Sequence, residues 1–273
     1  MAGKKIAAHL LSSRLTIVGS GIQAGSDLTG AARSAITRAD KVFYLVTEPL
    51  TPLWLRRIGA RAQSLHVHYA ANKPRAQTYQ AMTDQILRQL RKGGNVCAIF
   101  YGHPGLFADP AHDAINRARA EGFDARMLPG ISSLDWLFAD LLVDPATDGC
   151  KIQEAAQFLA RGGRADTNTA LVLLQVGLIG ERNLPRRPNV TGFRRLVCRL
   201  VEEYGPNHSA VLYEASPYFI AKPTIQRFVL RRPEGVRLSL GSTLYVPVRE
   251  RNQGDGGERR SPKGARSRKR RRT

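Results

Sequence analysis

At 273 residues with 42% hydrophobic side chains, the chain can bury one large core or two medium ones, which excludes a disordered or fibrous polypeptide. Its net charge of +20 suits an acidic or polyanionic partner, yet residues 251–273 hold ten Lys/Arg against Asp255 and Glu258, so +8 belongs to that stretch and +12 to the rest. No apolar run reaches the roughly 20 residues that cross a bilayer, so no membrane partner is expected.

Cys97, Cys150 and Cys198 are odd in number and lack metal-ligand spacing, which predicts a reducing, cytoplasmic compartment, buried thiols and no metal site. The opening "MAGKKIAAHLLSSRLTIVG" superficially resembles an export signal, but His9 and Arg14 break its apolar part and it runs into a strand, so residues 1–13 read as an N-terminal extension.

In chain order, "RLTIVG" (Arg14 to Gly19) predicts a buried strand, and after a glycine turn Thr29 caps a helix with Ala32, Ile36 and Ala39 on one face. "KVFYLV" predicts a second strand, Pro52 to Ile58 a helix, and "SLHVHY" a third strand with Leu65, Val67 and Tyr69 alternating against His66 and His68. A helix through "RAQTYQAMTDQILRQL" follows, stopped by Gly93 and Gly94. "NVCAIFYG" has the continuous apolar character of a strand covered on both faces. Next come the loop and helix of "HPGLFADPAHDAINRARAEG", the strand "DARMLPG", and a helix over "SSLDWLFADLLV" capped by Ser132 or Ser133.

This alternation predicts a mostly parallel α/β lobe over residues 14–143, with ligands at the carboxyl ends of its strands. The turn-rich "DPATDGC" (Asp144 to Cys150) opens a second α/β lobe, residues 144–250. Its strands are expected at "TALVLLQVG", "SAVLYEA", "TIQRFVL" and "GSTLYVPV", with antiparallel pairing and a helix near Thr191 to Tyr204. The remaining residues 251–273 read as a disordered basic tail able to contact nucleic acid.

"VGSGIQAG" sits where a nucleotide-binding loop would, between strand and helix, but lacks the full dinucleotide spacing, and no acidic residue closes "KVFYL", so nicotinamide chemistry has no support. No Gly-x-Ser-x-Gly elbow is present for acyl transfer. One helix raises a question: Arg75 stands at its N-terminus, where the helix dipole disfavours a cation, and Tyr79 follows one turn later on the same face. Taken alone, Tyr79 reads as a core residue beside Met82, Ile86 and Leu90, and Arg75 as a solvated charge.

The ordered set "VGSGIQ", "FYGHPGLF", "LPGISS", "LLQVG" and "STLYVPV" resembles the tetrapyrrole methylase superfamily, the class III methyltransferases, over roughly Arg14 to Val248. Within it, "KVFYLVTEP", "KPRAQTY", "IFYGHPG", "MLPGISSLDWLFADL" and "DPATDGC" look like the borosin peptide backbone α-N-methyltransferases. The resemblance implies two α/β lobes with a cleft between them for S-adenosyl-L-methionine, and a ribosomally made precursor peptide as substrate. It also implies a homodimer, or a heterotetramer when two precursors are bound. "GDGGERRSPKGARSRKRRRT" offers no apolar core peptide of the kind fused members carry, which implies a separate precursor modified in trans.

Carried over by resemblance, Tyr79 is the candidate base, Arg75 the stabiliser of charge, and Tyr69 a second active-site tyrosine. His66 stands where the family has a third tyrosine. Tyr101, His103, Leu106 and Ser132 fall in the loops implied to cradle the donor, and Gln175, Tyr213, Ser242 and Thr243 match second-lobe contacts. The trio suits the chemistry. An amide nitrogen has its lone pair delocalised into the carbonyl, so methylating it requires a base at the N–H, stabilisation of the carbonyl oxygen and a donor held in line. A tetrapyrrole, other small-molecule or RNA methyltransferase on the same fold, or an inactive RNA-binding relative, are the alternatives.

Overall fold

The computed structural model describes residues 13–249 apart from 71, 72, 182 and 184. The extension ahead of Ser13 and the basic tail lie outside the described residues.

Five parallel strands form the first sheet: β1 (Arg14–Gly19), β2 (Lys41–Leu45), β3 (Ala62–Ser64), β4 (Asn95–Phe100) and β5 (Asp124–Met127), in the order β3-β2-β4-β1-β5. The chain moves outward one way from β1 through β2 to β3, and the other way from β4 to β5. A crevice therefore opens between the neighbouring strands β2 and β4 at their carboxyl ends, where the connections diverge.

Helices cover both faces. On one side α1 (Gly30–Thr37) and α2 (Leu50–Arg57) bury Ala32, Ile36 and Leu55 against Val18, Val42 and Ile99. Thr29 caps α1 by accepting from the Ala32 N–H at 3.1 Å, while Glu48 caps α2 through the Leu50 and Thr51 amides. On the other side α3 (Arg75–Leu90) and α4 (Asp109–Ala120) bury Met82, Ile86, Leu90, Ala111, Ala114 and Ala118 against Leu15, Ile17 and Phe100.

The second sheet contains β6 (Cys150–Glu154), β7 (Ala170–Leu174), β8 (Ser209–Glu214), β9 (Thr224–Val229) and β10 (Thr243–Val246), ordered β6-β7-β10-β8-β9. Only β6 and β7 run parallel; the other pairings are antiparallel. The short α6 (Ala155–Ala160) and the longer α7 (Val190–Tyr204) cover one face. In α7, Asn189 caps the first turn, and Phe193, Leu196, Val197, Leu200 and Tyr204 recur at helical spacing to make the buried stripe.

Helix α5 (Ser133–Leu141) leaves the first sheet but packs Leu134 and Leu137 against Val172, Val211, Tyr213 and Tyr245 of the second. It begins at a capping box in which Ser132 and Asp135 bond each other's backbone. Burying each such leucine contributes about 1.5–3 kcal/mol, so α5 fixes how the two sheets face one another.

Three expectations fail locally. "SLHVHY" is not a strand: β3 stops at Ser64, whose hydroxyl accepts from the His66 N–H at 3.1 Å and turns the chain into a 3₁₀ segment, His66–His68. Leu65 is buried as expected, but Val67 is 69% exposed. The region after "DPATDGC" holds β6 and α6, which the sequence reading missed because β6 is short and offers only Cys150 and Ile152 as apolar residues. Of the thiols, Cys97 is buried, and that burial pushes it up to about 12, whereas Cys150 is half-buried and Cys198 exposed. The spacing of Cys198 within α7 turns it away from the stripe that packs on the sheet.

Candidate active site

Three of the turns singled out in the sequence converge at the carboxyl ends of β1, β4 and β5. Gly19 leaves no room for a side chain, since a β-carbon there would fall 2.1 Å from the Gly102 carbonyl oxygen and 3.1 Å from the Gly130 Cα. Gly21 and Gly102, both at positive φ, exchange backbone hydrogen bonds at 3.3 and 3.0 Å. The glycines of "VGSG", "YGHPG" and "LPG" thus serve close backbone packing at the base of a cleft. Asp27 fixes the first turn, accepting from the Ile22 and Gln23 amides and from Trp136 Nε1 of α5 at 2.7 Å.

The cleft encloses about 370 Å³ between the two sheets, within the roughly 300–1,000 Å³ range of small-molecule sites. Of the twelve residues singled out from the sequence, His66, Tyr69, Tyr79, Tyr101, His103, Leu106, Ser132, Gln175 and Thr243 line it. Arg75 lines instead an adjoining open groove of about 600 Å³, with Asp109, Lys151, Gln153, Glu154 and Arg161. Tyr79, Phe107 and Gln175 wall both spaces.

Two of those shared residues carry backbone strain. Phe107 and Gln175 have φ of 55° and 57°, a region that costs a side-chain-bearing residue energy and persists where the surroundings require it. Gln175 ends β7 and starts a 3₁₀ turn, Val176–Leu178. Phe107 was not singled out in the sequence, where nothing in "GLFADP" signals a left-handed phenylalanine.

Helix α3 holds its two residues as the i and i+4 spacing requires. Tyr79 packs partly against the core of Met82 and Leu90 while facing the cleft, so the core and site readings both apply to it. Tyr69, which follows the 3₁₀ segment, hydrogen-bonds the Tyr79 side chain. Burial foremost, then the neighbouring Tyr79, hold the Tyr69 hydroxyl above its ordinary range; the Arg75 charge pulls weakly the other way. Tyr69 therefore stays protonated at neutral pH and can donate to Tyr79. Arg75 donates to the Glu181 carbonyl oxygen at 2.8 Å, across from its own helix. The His66 ring lies 6.0 Å from that of Tyr69 and hydrogen-bonds the Val46 carbonyl oxygen at 2.7 Å.

Beneath them, the Gly105 N–H donates to His103 Nδ1 at 2.9 Å, which leaves the ring proton on Nε2 when the imidazole is neutral. Burial raises Tyr101; a hydrogen bond with Thr47 opposes it, and the carboxylates of Glu214, Glu48 and Asp27 add to it. Glu48 Oε1 is buried without a hydrogen-bond partner among the described residues. The wall of Tyr69, Tyr79, Tyr101 and Phe107 presents aromatic faces, which attract a cationic centre. A sulfonium methyl donor carries such a centre.

Two residues expected at the donor lie elsewhere. Tyr213 is 1% exposed within the packing of α5 on the second sheet, and its hydroxyl donates to Asp140 at 2.6 Å. Ser242 is buried and its Oγ accepts from the Ser239 N–H at 2.9 Å, bracing the turn that carries Gly241 and Thr243 to the cleft. Ser132 does line the cleft, but its hydroxyl serves the α5 cap. Tyr213→Phe would leave the Asp140 carboxylate without this donor. It is expected to lower stability by about 1–2 kcal/mol in a denaturant melt while leaving donor affinity unchanged by calorimetry; a selective loss of affinity would return Tyr213 to the site.

Residues 14–216 match the family of tetrapyrrole (corrin/porphyrin) methylases. The chain belongs to that family. Among relatives of this methylase is the methyltransferase/ribosomally synthesized cyclic peptide omphalotin A precursor of Omphalotus olearius, 40% identical over 87% of this chain and 58% of its own length. The corresponding dendrothelin A precursor of Dendrothele bispora is 39% identical with the same coverage. The methylase thus spans less than two thirds of these relatives, which are described as methyltransferase and precursor in one polypeptide. In fold it matches the uroporphyrin-III-C-methyltransferase of Thermus thermophilus, with a TM-score of 0.60 and 16% identity over 89% of this chain and all of that one.

Proposed function

We propose that this methylase transfers methyl groups from S-adenosyl-L-methionine to backbone amide nitrogens of a ribosomally made precursor peptide supplied as a separate protein. The observation that carries the reading is Tyr79, hydrogen-bonded by Tyr69, on the wall common to the enclosed cleft and the open groove. A donor in the cleft and an extended chain in the groove would meet there. Kinship with methyltransferases described as carrying cyclic-peptide precursors supports a peptide substrate.

Bound in the cleft, held by the turns bearing Tyr101, His103 and Gln175, the donor would supply an electrophilic methyl group on sulfur. Tyr79 takes the amide proton. Tyr69, kept protonated, donates to Tyr79 and stabilises the phenolate form that accepts that proton. Arg75, in the same groove as Tyr79, stabilises the negative charge that collects on the amide carbonyl oxygen as the N–H is lost. His66, bonded to Val46 and beside Tyr69, orients that tyrosine. The exposed Phe219 and Ile220, 77% and 82% accessible, provide an apolar surface for self-association into the homodimer. Three unpaired thiols are in keeping with a cytoplasmic setting.

The deciding experiment is co-expression of the chain with a small reading frame encoded beside its gene, followed by mass spectrometry. The expected product carries one added CH₂ mass per transfer, and fragmentation assigns each to a backbone nitrogen. Methylation confined to side chains, to nucleic acid or to a tetrapyrrole would defeat the proposal; methylation of the chain itself would defeat its in-trans part.

A further inference from the structure

The groove in front of Tyr79 has a floor of unusual character. Four of its lining residues, Lys151, Ile152, Gln153 and Glu154, are consecutive in β6, which ends the second sheet and, among the described residues, pairs only with β7. The hydrogen-bond direction of β6 follows from one contact: the Ala170 N–H donates to the Gly149 carbonyl oxygen at 3.1 Å. In a parallel ladder the N–H and C=O of one residue point to the same side, and the sides alternate along the strand. Gly149, Lys151 and Gln153 therefore turn their backbones to β7, and Cys150, Ile152 and Glu154 turn theirs to the open edge.

Resting on the peptide reading above, we propose that the substrate backbone docks as an added strand on this edge, pairing with the N–H and C=O groups of Ile152 and Glu154. The occupant is an extended polypeptide. The groove is continuous with the wall of Tyr79, Phe107 and Gln175, so a strand seated on β6 runs past the residues that face the cleft. An added strand also has the required chemistry: its alternate residues bond β6, and the intervening ones present amide and carbonyl away from it. Arg75 and Tyr79 line the same groove from α3. Main-chain pairing supplies affinity that does not depend on side-chain identity, which suits an enzyme whose reacting group is the backbone itself. The edge is short and carries Lys151 and Glu154, features that limit pairing between copies of the enzyme without obstructing a single incoming peptide.

The test compares Ile152→Pro with Ile152→Ala, using the precursor polypeptide that the wild-type chain methylates when co-expressed with it. Proline removes the outward N–H, with the isoleucine side chain and the freedom of φ, and edge strands accept it there; alanine removes the side chain and keeps the donor. The KM for the precursor is expected to rise about tenfold more in Ile152→Pro than in Ile152→Ala, with donor binding unchanged in both. Hydrogen exchange on the unmodified enzyme gives a second readout independent of the proline variant's folding: saturating precursor is expected to slow the Ile152 and Glu154 amides. Equal KM values for Ile152→Ala and a folded Ile152→Pro, or no slowing at either amide, overturns the pairing while peptide methylation stands. A wild-type chain that methylates no peptide overturns the peptide reading and the pairing with it.

Discussion

Tyr79→Phe is expected to lower turnover by about 10²–10⁴-fold, the usual contribution of a positioned general base, while donor affinity stays within about twofold because the aromatic ring still walls the cleft. The substitution removes one oxygen. It spares the packing of the ring against the α3 core and takes away the group that receives the amide proton and the Tyr69 hydrogen bond. Single-turnover methylation and calorimetric donor binding, measured on the same preparation, separate chemistry from folding. A Tyr79→Phe enzyme with near-normal turnover would remove the proposed base and shift attention to His66 and Tyr69.

The second large effect is expected at Gly19, at the base of the cleft. An alanine β-carbon there would stand 2.1 Å from the Gly102 carbonyl oxygen and 2.9 Å from Pro104 Cδ. Backbone on both sides must move, at a cost of about 1–3 kcal/mol or more. The displaced turns carry Tyr101 and His103, so Gly19→Ala should weaken donor binding as well as stability. Gly30→Ala is the matched control. It begins α1 with nothing within 4 Å of the added carbon, so its melting curve should stay close to wild type. If Gly19→Ala melts and binds donor like the control, the convergence of the three turns does not shape the cleft.

The outcome also separates two kinds of glycine that look alike in the sequence. Gly19 ends β1 and Gly30 opens α1, and their neighbours show a turn and a helix start without showing how closely other segments approach. What distinguishes Gly19 is the approach of the β4 and β5 turns, brought in from distant segments by the order of the parallel sheet.

Much of the first sheet was legible because its residues answer to local rules. The buried runs of β1 and β4, the Thr29 cap, the Ser132 capping box and the Gly93–Gly94 stop each act within a few residues. The 3₁₀ turn at His66 escaped because the Ser64 side chain, a competitor for backbone hydrogen bonds, overrode an alternating pattern that otherwise suits a strand. β6 escaped for the opposite reason: an edge strand of five residues with only Cys150 and Ile152 apolar gives too short a hydrophobic alternation to read.

The site divides along the same line. Tyr69, Tyr79, Tyr101, His103 and Gln175, all on the cleft, were reached through the resemblance of short motifs to a family, whereas the residues alone left Tyr79 as a core position. Tyr213 could not be judged that way. Its strand matches the motif order, but whether its ring faces the cleft or the α5 interface depends on the Asp140 carboxylate, contributed by α5. The left-handed Phe107 likewise becomes visible only as strained backbone between two cavities.

By itself, then, the sequence determined the alternation of strands and helices, the caps and stops, and the placement of Arg75 and Tyr79 on one helical face, because these depend on interactions across four residues or fewer. Only the tertiary structure decided that Tyr69 bonds Tyr79, that Arg75 reaches Glu181, and that the edge of β6 opens onto the same groove. Each of those joins segments separated in the chain, and their meeting is set by sheet order and by the wedge of α5 between the sheets.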